Sequence, residues 1–555
     1  MIYLTAFMMV FIPSAAFSGN YWVFLKHSGD RKPGDPVITE YIDKIAASGA
    51  KIRTVSRYFD AVSVSIGGDI SELKSLNFVE TVLPVKSFAR PPAPAAEKVT
   101  SNLTALKRAD TGVCNRAGTE TSPYNKNNAG LNYGYSYTQL NMLNVPAAHE
   151  MGYTGKGVLI GLLDSGFEPE KTLCLKSLNI THKRNFVKGG DDISGDTHGS
   201  QTLACLGGRL DGVFYGPAFN AEYFLAVTED ITTESRAEED YWVAGMEWCD
   251  SLGVDIISSS VLYDFGHTFA DGTPDTLSDY KPYEMDGKTS FIAKAAEIAV
   301  SRGIVVVNSA GNEGQETYTT SDGETKIWRI IGTPADAEHV IAVGAVNVTN
   351  DPAEINIASF SSRGPTADGR IKPDVVAPGS GVAIQFEDGG LSLSGTSFSA
   401  PLISGVCALI LEAHPDWSPG DVAAALKYSA LDLGTKGQDN DYGWGIPDCV
   451  KAIEYDKTYA GERAETYSQT FSLENPYPNP FNNILTVSFH VMEETNMKVE
   501  IFDILGQKAA VLLDKRTLPG NYSVSWKGTG ASSGIYFVRA ANGRFSDTRK
   551  AVFLK

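Results

Sequence analysis

The chain has little positive charge. Its 555 residues hold 47 lysines and arginines against 66 aspartates and glutamates, a formal net charge of −19 at pH 7. Nucleic-acid binding depends on basic patches that neutralise phosphates, so this balance argues against a nucleic-acid partner. Because 43% of the residues are apolar and 20% are charged, the composition predicts a globular chain of several domains.

Long hydrophobic runs are also scarce. Residues 2–12 form an apolar run that is too short to span a membrane. Pro13 ends the run and Ala16-Phe17-Ser18 offers a small-x-small cleavage site, so we predict a signal peptide over residues 1–18. A core strand is the alternative, because no Lys or Arg precedes the run. The N-terminal position favours export, and we predict that no other segment is long and apolar enough to span a bilayer.

Cysteine and histidine are scarce too. The six cysteines and eight histidines form no cluster with zinc-like spacing, so the sequence predicts no metal centre. Six cysteines in an exported protein allow fifteen disulfide pairings. We favour a bridge between Cys114 and Cys174, because the sequence around both residues is typical of loops. Cys205 and Cys407 lie in segments predicted to be apolar helices, so we predict that they are free, buried thiols.

One serine stands where a β-like run changes into an apolar helix. Residues 391–393 enter the turn Gly395-Thr396-Ser397, and residues 402–410 have the composition of a buried helix. The free N–H groups and the positive dipole end at such a helix start can stabilise an oxyanion. Ser397 is therefore a candidate nucleophile, although a serine that only caps a core helix would show the same pattern.

A nucleophilic serine needs a base and a group that orients the base. Among the histidines, His198 alone stands in a suggestive context, a loop that leads into an apolar helix. Asp164 ends a continuous apolar run, which is typical of a strand buried on both faces, and open α/β sheets place their sites at such strand ends. Asn312 follows a similar run and could donate its amide N–H to an oxyanion.

These stretches together resemble the subtilisin-like serine proteases, or subtilases. The likeness rests on Asp-Ser-Gly at 164–166, His-Gly-Ser at 198–200, Ala-Gly-Asn-Glu-Gly at 310–314 and Gly-Thr-Ser-Phe-Ser-Ala-Pro at 395–401, in the family's order. An α/β-hydrolase is disfavoured, because the second glycine of Gly-x-Ser-x-Gly is missing and the triad order differs. The resemblance spans residues 131–458 and implies an α/β peptidase domain with a parallel sheet flanked by helices.

The resemblance implies a role for each candidate. Ser397 would be the nucleophile, His198 the general base and acid, and Asp164 the carboxylate that orients the histidine. Asn312 would form the oxyanion hole together with backbone N–H groups.

Four further residues are expected to line the substrate cleft by the same resemblance: Ser260, Leu262, Ala310 and Gly311. The usual family pattern at the first two positions is Ser-Leu-Gly, whereas this chain has Ser260-Val261-Leu262. A leucine in place of glycine should narrow or redirect the pocket for the residue before the scissile bond. The alternative is that Leu262 points outward.

The regions that flank the peptidase have patterns of their own. Residues 19–88 read as a small α+β domain of order β-α-β-β-α-β, which resembles the inhibitor prodomain of many subtilases; an unrelated ferredoxin-like module is the alternative. Residues 89–130 are a proline-rich and polar linker that would contain the maturation site. The peptidase domain would begin with a helix over 137–148.

The C-terminal residues predict another fold. After a linker at 459–470, residues 471–555 show short alternating strands and glycine turns, the pattern of an all-β sandwich. Tyr-Pro-Asn-Pro-Phe at 477–481 and the terminal Lys-Ala-Val-Phe-Leu-Lys resemble the sorting domains of the type IX secretion system. A binding module for adhesion is the alternative.

The sequence thus predicts a serine endopeptidase that acts through an acyl-enzyme and is secreted or held at the cell surface. A signal peptide would export it through the periplasm. Its expected partners are protein or peptide substrates, its own prodomain and the secretion machinery. No cofactor is expected, although the resemblance allows a structural calcium ion; Asp191, Asp192 and Asp196 show no calcium-loop pattern and suit a surface turn. A binding protein built on a catalytically silent protease scaffold is the alternative function.

Overall fold

The computed structural model describes residues 18–26, 36–67, 69–85, 130–231, 237–264, 280–315, 317–319, 325–327, 330–387, 389–456, 471–473, 476–491, 494–503, 507–542 and 546–555. It forms two compact units, Met1–Tyr455 and Asp456–Lys555. Residues 1–17 of the predicted signal peptide, residues 89–129 of the predicted linker and Cys114 lie outside the described residues. The boundaries proposed for the six segments stay predictions.

The N-terminal part of the first unit is a small α+β module. Its elements are β1 (Ser18–Leu25), α1 (Thr39–Ala47), β2 (Lys51–Ser56), β3 (Ala61–Gly67), α2 (Ser71–Ser75) and β4 (Val79–Val85). The strands form an antiparallel sheet of order β2-β3-β1-β4. Alternate residues of β3, such as Val62 and Val64, pack in one core with Ile45 of α1 and Leu73 of α2. The predicted β-α-β-β-α-β order is confirmed.

A mostly parallel sheet forms the centre of the first unit. Its strands and the short hairpins beside it are β5 (Leu159–Asp164), β6 (Asn179–Asn185), β7 (Arg209–Leu210), β8 (Phe214–Tyr215), β9 (Glu222–Val227), β10 (Ile256–Ser259), β11 (Val305–Ser309), β12 (Thr317–Thr319), β13 (Thr325–Ile327), β14 (Ile341–Asn347), β15 (Val375–Phe386) and β16 (Gly389–Ser394). Eight of them pair in the order β16-β15-β14-β11-β10-β5-β9-β6, and β16 alone runs antiparallel to its neighbour.

Helices cover both faces of this sheet. They are α3 (Tyr137–Asn141), α4 (Val145–Glu150), α5 (His198–Gly207), α6 (Ala237–Ser251), α7 (Phe291–Ser301), α8 (Thr396–Ala413), α9 (Pro419–Ser429) and α10 (Cys449–Ile453). Residues of α5 and α8 share one core with Ile160 and Leu162 of β5, while residues of α6 and α7 share the opposite core with Leu163. Because both faces of β5 are buried, its sequence is a continuous apolar run.

Helix α8 is long and apolar enough to cross a membrane by length and composition. The helix has 18 residues, and 89% of this apolar segment is buried inside the protein. Our prediction that no other segment is long and apolar enough to span a bilayer is therefore wrong, and burial identifies α8 as a core helix.

Two further predictions are wrong. The single helix expected over 137–148 is two helices. α3 ends at Asn141, and the left-handed backbone of Asn144 (φ 56°) separates it from α4, which has Pro146 in its first turn. The favoured disulfide is absent, because Cys174 is a free, buried thiol. Cys205 and Cys407 are free and buried, as predicted.

The second unit is a sandwich of two antiparallel sheets. Its strands are β17 (Phe471–Leu473), β18 (Leu485–Val491), β19 (Thr495–Asp503), β20 (Lys508–Thr517), β21 (Gly520–Trp526), β22 (Gly534–Ala541) and β23 (Ser546–Phe553). They pair as β17-β18-β21 and β20-β19-β22-β23. Phe489 of one sheet and Val538 of the other lie in a common core. The predicted sandwich is confirmed.

Candidate active site

Asp164 and His198 meet where a strand ends and a helix begins. Asp164 is the last residue of β5 and His198 is the first residue of α5. His198 Nδ1 lies 2.7 Å from Asp164 Oδ1, and the Ser165 N–H donates to the same oxygen at 2.8 Å. An ionised carboxylate can only accept, so the imidazole proton lies on Nδ1. In the neutral ring, Nε2 therefore carries the lone pair that can act as a base.

Two glycines allow this close approach. A Cβ on Gly199 would lie 2.4 Å from the Gly166 carbonyl oxygen, and a Cβ on Gly166 would lie 2.6 Å from the Asp196 backbone nitrogen. Both distances are shorter than real carbon contacts. The loop before α5 can therefore pack on the turn after β5 only if both positions lack a side chain.

The charges around His198 favour its protonated form. Burial lowers the pKa of His198, but the charge and hydrogen bond of Asp164 together with the charges of Asp196 and Glu229 outweigh burial and raise it. The resulting pKa of His198 is raised to about 8. The imidazole is therefore mostly charged at pH 7 and becomes a free base above pH 8.

Ser397 lies in the first turn of α8. Gly395 precedes the helix with φ 156° and ψ 149°, a backbone conformation that side chains disfavour. The Ser397 Oγ donates to the Ser260 carbonyl at 3.4 Å, and the Ser260 Oγ donates to the Ser397 carbonyl at 3.0 Å. Within the described residues no hydrogen bond joins Ser397 to His198, although the ring of Phe398 lies 6.2 Å from the His198 ring.

Asn312 is held by the same turn of α8. Its Oδ1 accepts from the Thr396 N–H at 2.9 Å and from the Thr396 Oγ1 at 3.1 Å, while Thr396 Oγ1 accepts from the Gly311 N–H. Among the described residues, Asn312 Nδ2 has no acceptor. Asn312 is exposed, so this amide group can donate to a bound molecule.

The residues predicted to line the cleft lie at two neighbouring strand ends. Ser260 follows β10 and contacts Ser397, whereas Ala310 and Gly311 follow β11. The Ala310 N–H donates to Val343 and the Gly311 N–H to Thr396, so both residues would shape a cleft rather than bind through their N–H groups.

Leu262 lies three residues after the end of β10 and packs on Gly332. A Cβ on Gly332 would lie 2.6 Å from Leu262 Cγ and 2.7 Å from both of its methyl carbons. The leucine therefore fills the space above Gly332, and its side chain is half-buried rather than extended into solvent.

Two polar contacts were missed by sequence reasoning. Thr202 Oγ1 lies 3.0 Å from Asp164 Oδ2, and Ser165 Oγ donates to Asp196 Oδ2 at 2.6 Å. Thr202 is four residues after His198, so the two side chains share one face of α5. That spacing was the available signal for Thr202.

The acidic turn before His198 does not suit a calcium ion. Asp192 Oδ1 accepts from the N–H and Oγ of Ser194, and the Asp196 oxygens accept from Thr197 and Ser165. The described part of the chain holds no group of three or more His, Cys, Asp or Glu side chains positioned for a metal. These carboxylates therefore stabilise their own loop.

Comparison with known proteins gives two domain matches. Residues 155–445 match the Peptidase_S8 subtilase family, and residues 475–554 match the secretion system C-terminal sorting domain. The second match means that the chain is exported, to be secreted or held at the cell surface.

Individual relatives align with the same central region. The chain is 30% identical to subtilisin from Bacillus pumilus over 313 residues, which cover 55% of this chain and 94% of that protein. It is 32% identical to subtilisin E of Bacillus subtilis (strain 168), with 55% and 68% covered, and 29% identical to the serine protease AprX of the same strain, with 54% and 67% covered. The chain therefore belongs to the subtilase family and is a serine endopeptidase.

Proposed function

We propose that Asp164, His198 and Ser397 form a catalytic triad that hydrolyses peptide bonds through an acyl-enzyme. The observation that carries the proposal is the 2.7 Å hydrogen bond from His198 Nδ1 to a buried Asp164 carboxylate. It leaves Nε2 as the basic atom, and Ser397 lies in the first turn of α8 next to Phe398, whose ring is 6.2 Å from the His198 ring.

The chemistry follows from these positions. The Ser397 hydroxyl turns from the Ser260 carbonyl towards His198 Nε2. Catalytic hydrogen bonds of this kind are often long before substrate binds and tighten in the complex. Oγ then bonds to the substrate carbonyl carbon while Nε2 takes the hydroxyl proton. The C–N bond breaks as His198 returns that proton to the leaving amine. Water, activated by the same Nε2, hydrolyses the ester and frees Ser397.

Negative charge on the carbonyl oxygen needs donors, and we assign Asn312 Nδ2 and the Ser397 N–H in the first turn of α8 to this role. Support comes from the two hydrogen bonds that hold Asn312 Oδ1 on Thr396, since they leave Nδ2 as the free half of the amide. Ser260, Leu262, Ala310 and Gly311 are assigned to the walls of the substrate cleft.

A fluorophosphonate probe tests the triad. Mature protein should be labelled on Ser397, and Ser397→Ala should abolish labelling. Ser399→Ala is the matched control, because Ser399 is buried two residues later and its Oγ donates only to the Thr396 carbonyl among the described residues. If wild-type protein is not labelled, the chain is a binding protein on a silent scaffold and the triad assignment is wrong.

We also propose that the N-terminal module is an inhibitory prodomain and that the protein is made as a zymogen. Two carboxylates on α6 support this proposal. Glu247 accepts hydrogen bonds from Ser56 Oγ at 2.5 Å and from the Arg57 N–H at 2.6 Å. Asp240, two helical turns earlier, accepts from Trp22 Nε1 and from Ser63 Oγ at 2.6 Å each.

The test uses the uncleaved chain. Glu247→Ala should increase fluorophosphonate labelling of Ser397, because the module loses charge-assisted hydrogen bonds that contribute about 1.5–3 kcal/mol each. Glu297→Ala is the control, since Glu297 lies on α7 and contacts His339 instead. Equal labelling of both variants and wild type would show that the module does not restrain the site.

Export through the periplasm by a signal peptide over residues 1–18 is proposed on the N-terminal apolar run and the sorting domain. The mature N-terminus, read by mass spectrometry on protein from the medium and on precursor held in the cell, tests this route. Precursor that begins at Gly19 is expected. No bound metal or cofactor is expected, and elemental analysis of purified protein would detect calcium.

A further inference from the structure

The Asp164 carboxylate has two oxygens with different surroundings. Oδ1 accepts from His198 Nδ1 and from the Ser165 N–H. Oδ2 has one donor among the described residues, the Thr202 hydroxyl at 3.0 Å. Asp164 and Thr202 are each 2% exposed, so bulk water does not substitute for this donor.

The Thr202 hydroxyl has a choice of acceptors. Its oxygen lies 3.0 Å from the Gly199 carbonyl as well as 3.0 Å from Asp164 Oδ2. A threonine in a helix commonly donates back to a carbonyl three or four residues earlier. The buried carboxylate is charged, however, and a charged acceptor forms the stronger hydrogen bond. The proton is therefore directed at Asp164.

We propose that Thr202 is a positioning residue that holds the Asp164 carboxylate so that Oδ1 faces His198 throughout the reaction. The inference rests on the triad proposed above. Thr202 is buried on α5, and its hydroxyl contacts Asp164 and the Gly199 carbonyl among the described residues, so it acts through the carboxylate and not on substrate. A single hydroxyl can do this because His198 and Thr202 share one helix, which fixes their spacing at one turn.

Removal of the hydroxyl has two consequences. The carboxylate loses an anchor and can rotate, so His198 is oriented correctly less of the time. The charge on Asp164 is also less neutralised, so the imidazolium is stabilised and the basic form appears at higher pH. The other charged groups that face His198 are Asp196 in the preceding loop and Glu229 after β9, and neither is altered by this change.

The experiment compares Thr202→Val, which keeps the shape, with Thr202→Ser, which keeps the hydroxyl. Thr172→Val is the matched control, because Thr172 is equally buried and its Oγ1 has no hydrogen-bond partner among the described residues. Rates of peptide hydrolysis and of fluorophosphonate inactivation are measured from pH 5 to 10 and expressed per labelled Ser397.

Thr202→Val should lower kcat about tenfold, the scale of one hydrogen bond to a charged group, with KM within twofold. The rising limb of both pH profiles should move to higher pH by about half a unit. Thr202→Ser should restore both, and Thr172→Val should match wild type.

A Thr202→Val enzyme with unchanged kcat and unchanged pH limb would overturn the proposal. If Thr202→Val and Thr202→Ala both fail to fold while Thr202→Ser folds, the hydroxyl is structural and the proposal is likewise overturned. Failure of the triad gives a different result, because wild-type protein itself would then remain unlabelled.

Discussion

The parallel sheet of the first unit and the sandwich of the second bury their strands differently. β5, β10 and β11 run in one direction, so the residues that end or follow them, including Asp164, Ser260 and Ala310, come to one edge of the sheet. The N-termini of α5 and α8 bring His198 and Ser397 to the same region. Antiparallel strands such as β18 and β21 end at opposite edges, so their polar residues do not converge. Strand direction therefore concentrates chemistry in the first unit.

The buried carboxylates of the two units also differ in their partners. In the first unit Asp164 is 2% exposed and bound to His198. In the described part of the second unit the buried carboxylate is Glu500, whose pKa is lowered by a hydrogen bond from Lys508. The first pair supplies a base that becomes free above about pH 8, whereas Glu500 forms ion pairs with Lys498 and Lys508 of the same sheet. The sandwich should accordingly tolerate substitutions without any effect on peptide hydrolysis.

The largest predicted contrast compares one residue from each unit. Ser397→Ala should lower kcat about 10⁶-fold, the scale found for the serine of subtilisin itself. Phe489→Ala should leave kcat unchanged while it destabilises the sandwich by about 3–5 kcal/mol through a core cavity. Peptide hydrolysis and thermal unfolding of the two variants measure this. A comparable loss of kcat in both would contradict the separation of the units.

The oxyanion donor should matter less than the nucleophile. Asn312→Ala should lower kcat by about 10²–10³-fold, as removal of one such donor does in subtilisin. KM should change little, because the amide donates to charge that develops in the transition state. Asn308→Ala provides a control at the end of the same strand, where Nδ2 donates to the Val261 carbonyl. Loss of activity only in the Asn308 variant would mean that the oxyanion donor is another group.

The pH profile should show the basic form of His198. Because the pKa of His198 is raised to about 8, kcat/KM should fall about tenfold per pH unit below that value and level off above it. The same pKa shift also stabilises the folded state, but at low pH, where the activity is low. Its contribution is complete below pH 6.5 and is lost as pH rises through 8. A profile already flat at pH 6.5 would show that Asp164 does not raise the pKa of His198.

Pocket specificity should respond to Leu262. Substrates with small or medium residues before the scissile bond should be preferred, because the isobutyl group fills the space above Gly332. Overfilling a packed site costs about 1–3 kcal/mol. Leu262→Gly should remove this cost for substrates with Phe or Tyr before the scissile bond and improve their cleavage by about tenfold. A peptide library read by mass spectrometry measures the change. Strong preference for Phe or Tyr in the wild-type enzyme would contradict it.

The smallest effect is expected from loss of the second unit in vitro. Deletion of residues 465–555 should leave kcat/KM unchanged, since the described residues of the sandwich include none of the proposed triad. In the source cell the same deletion should keep the protein from reaching the medium, because the match to the sorting domain is lost. Normal export of the truncated chain would make the sandwich a binding or spacer module. Reduced activity in folded, purified protein would show that it contributes to the site.

Much of the fold could be predicted because its signals are local. The alternation in β3 and β18 reports one buried face, and the continuous apolar run of β5 reports two. The break at Asn144 could not be predicted in this way. Its left-handed backbone interrupts an otherwise helical run, and the periodicity on either side continues without a gap.

The sequence by itself determined which side chains end the strands and begin the helices, because those positions follow from apolar periodicity within a few neighbouring residues. Tertiary structure alone decided which of their atoms meet. The Asn312 amide is oriented by Thr396, 84 positions away, and the second oxygen of Asp164 is held by Thr202, 38 positions away. Such contacts depend on how a helix packs against a distant strand. A hydrogen bond forms or fails within less than an ångström, and no local pattern specifies packing to that distance.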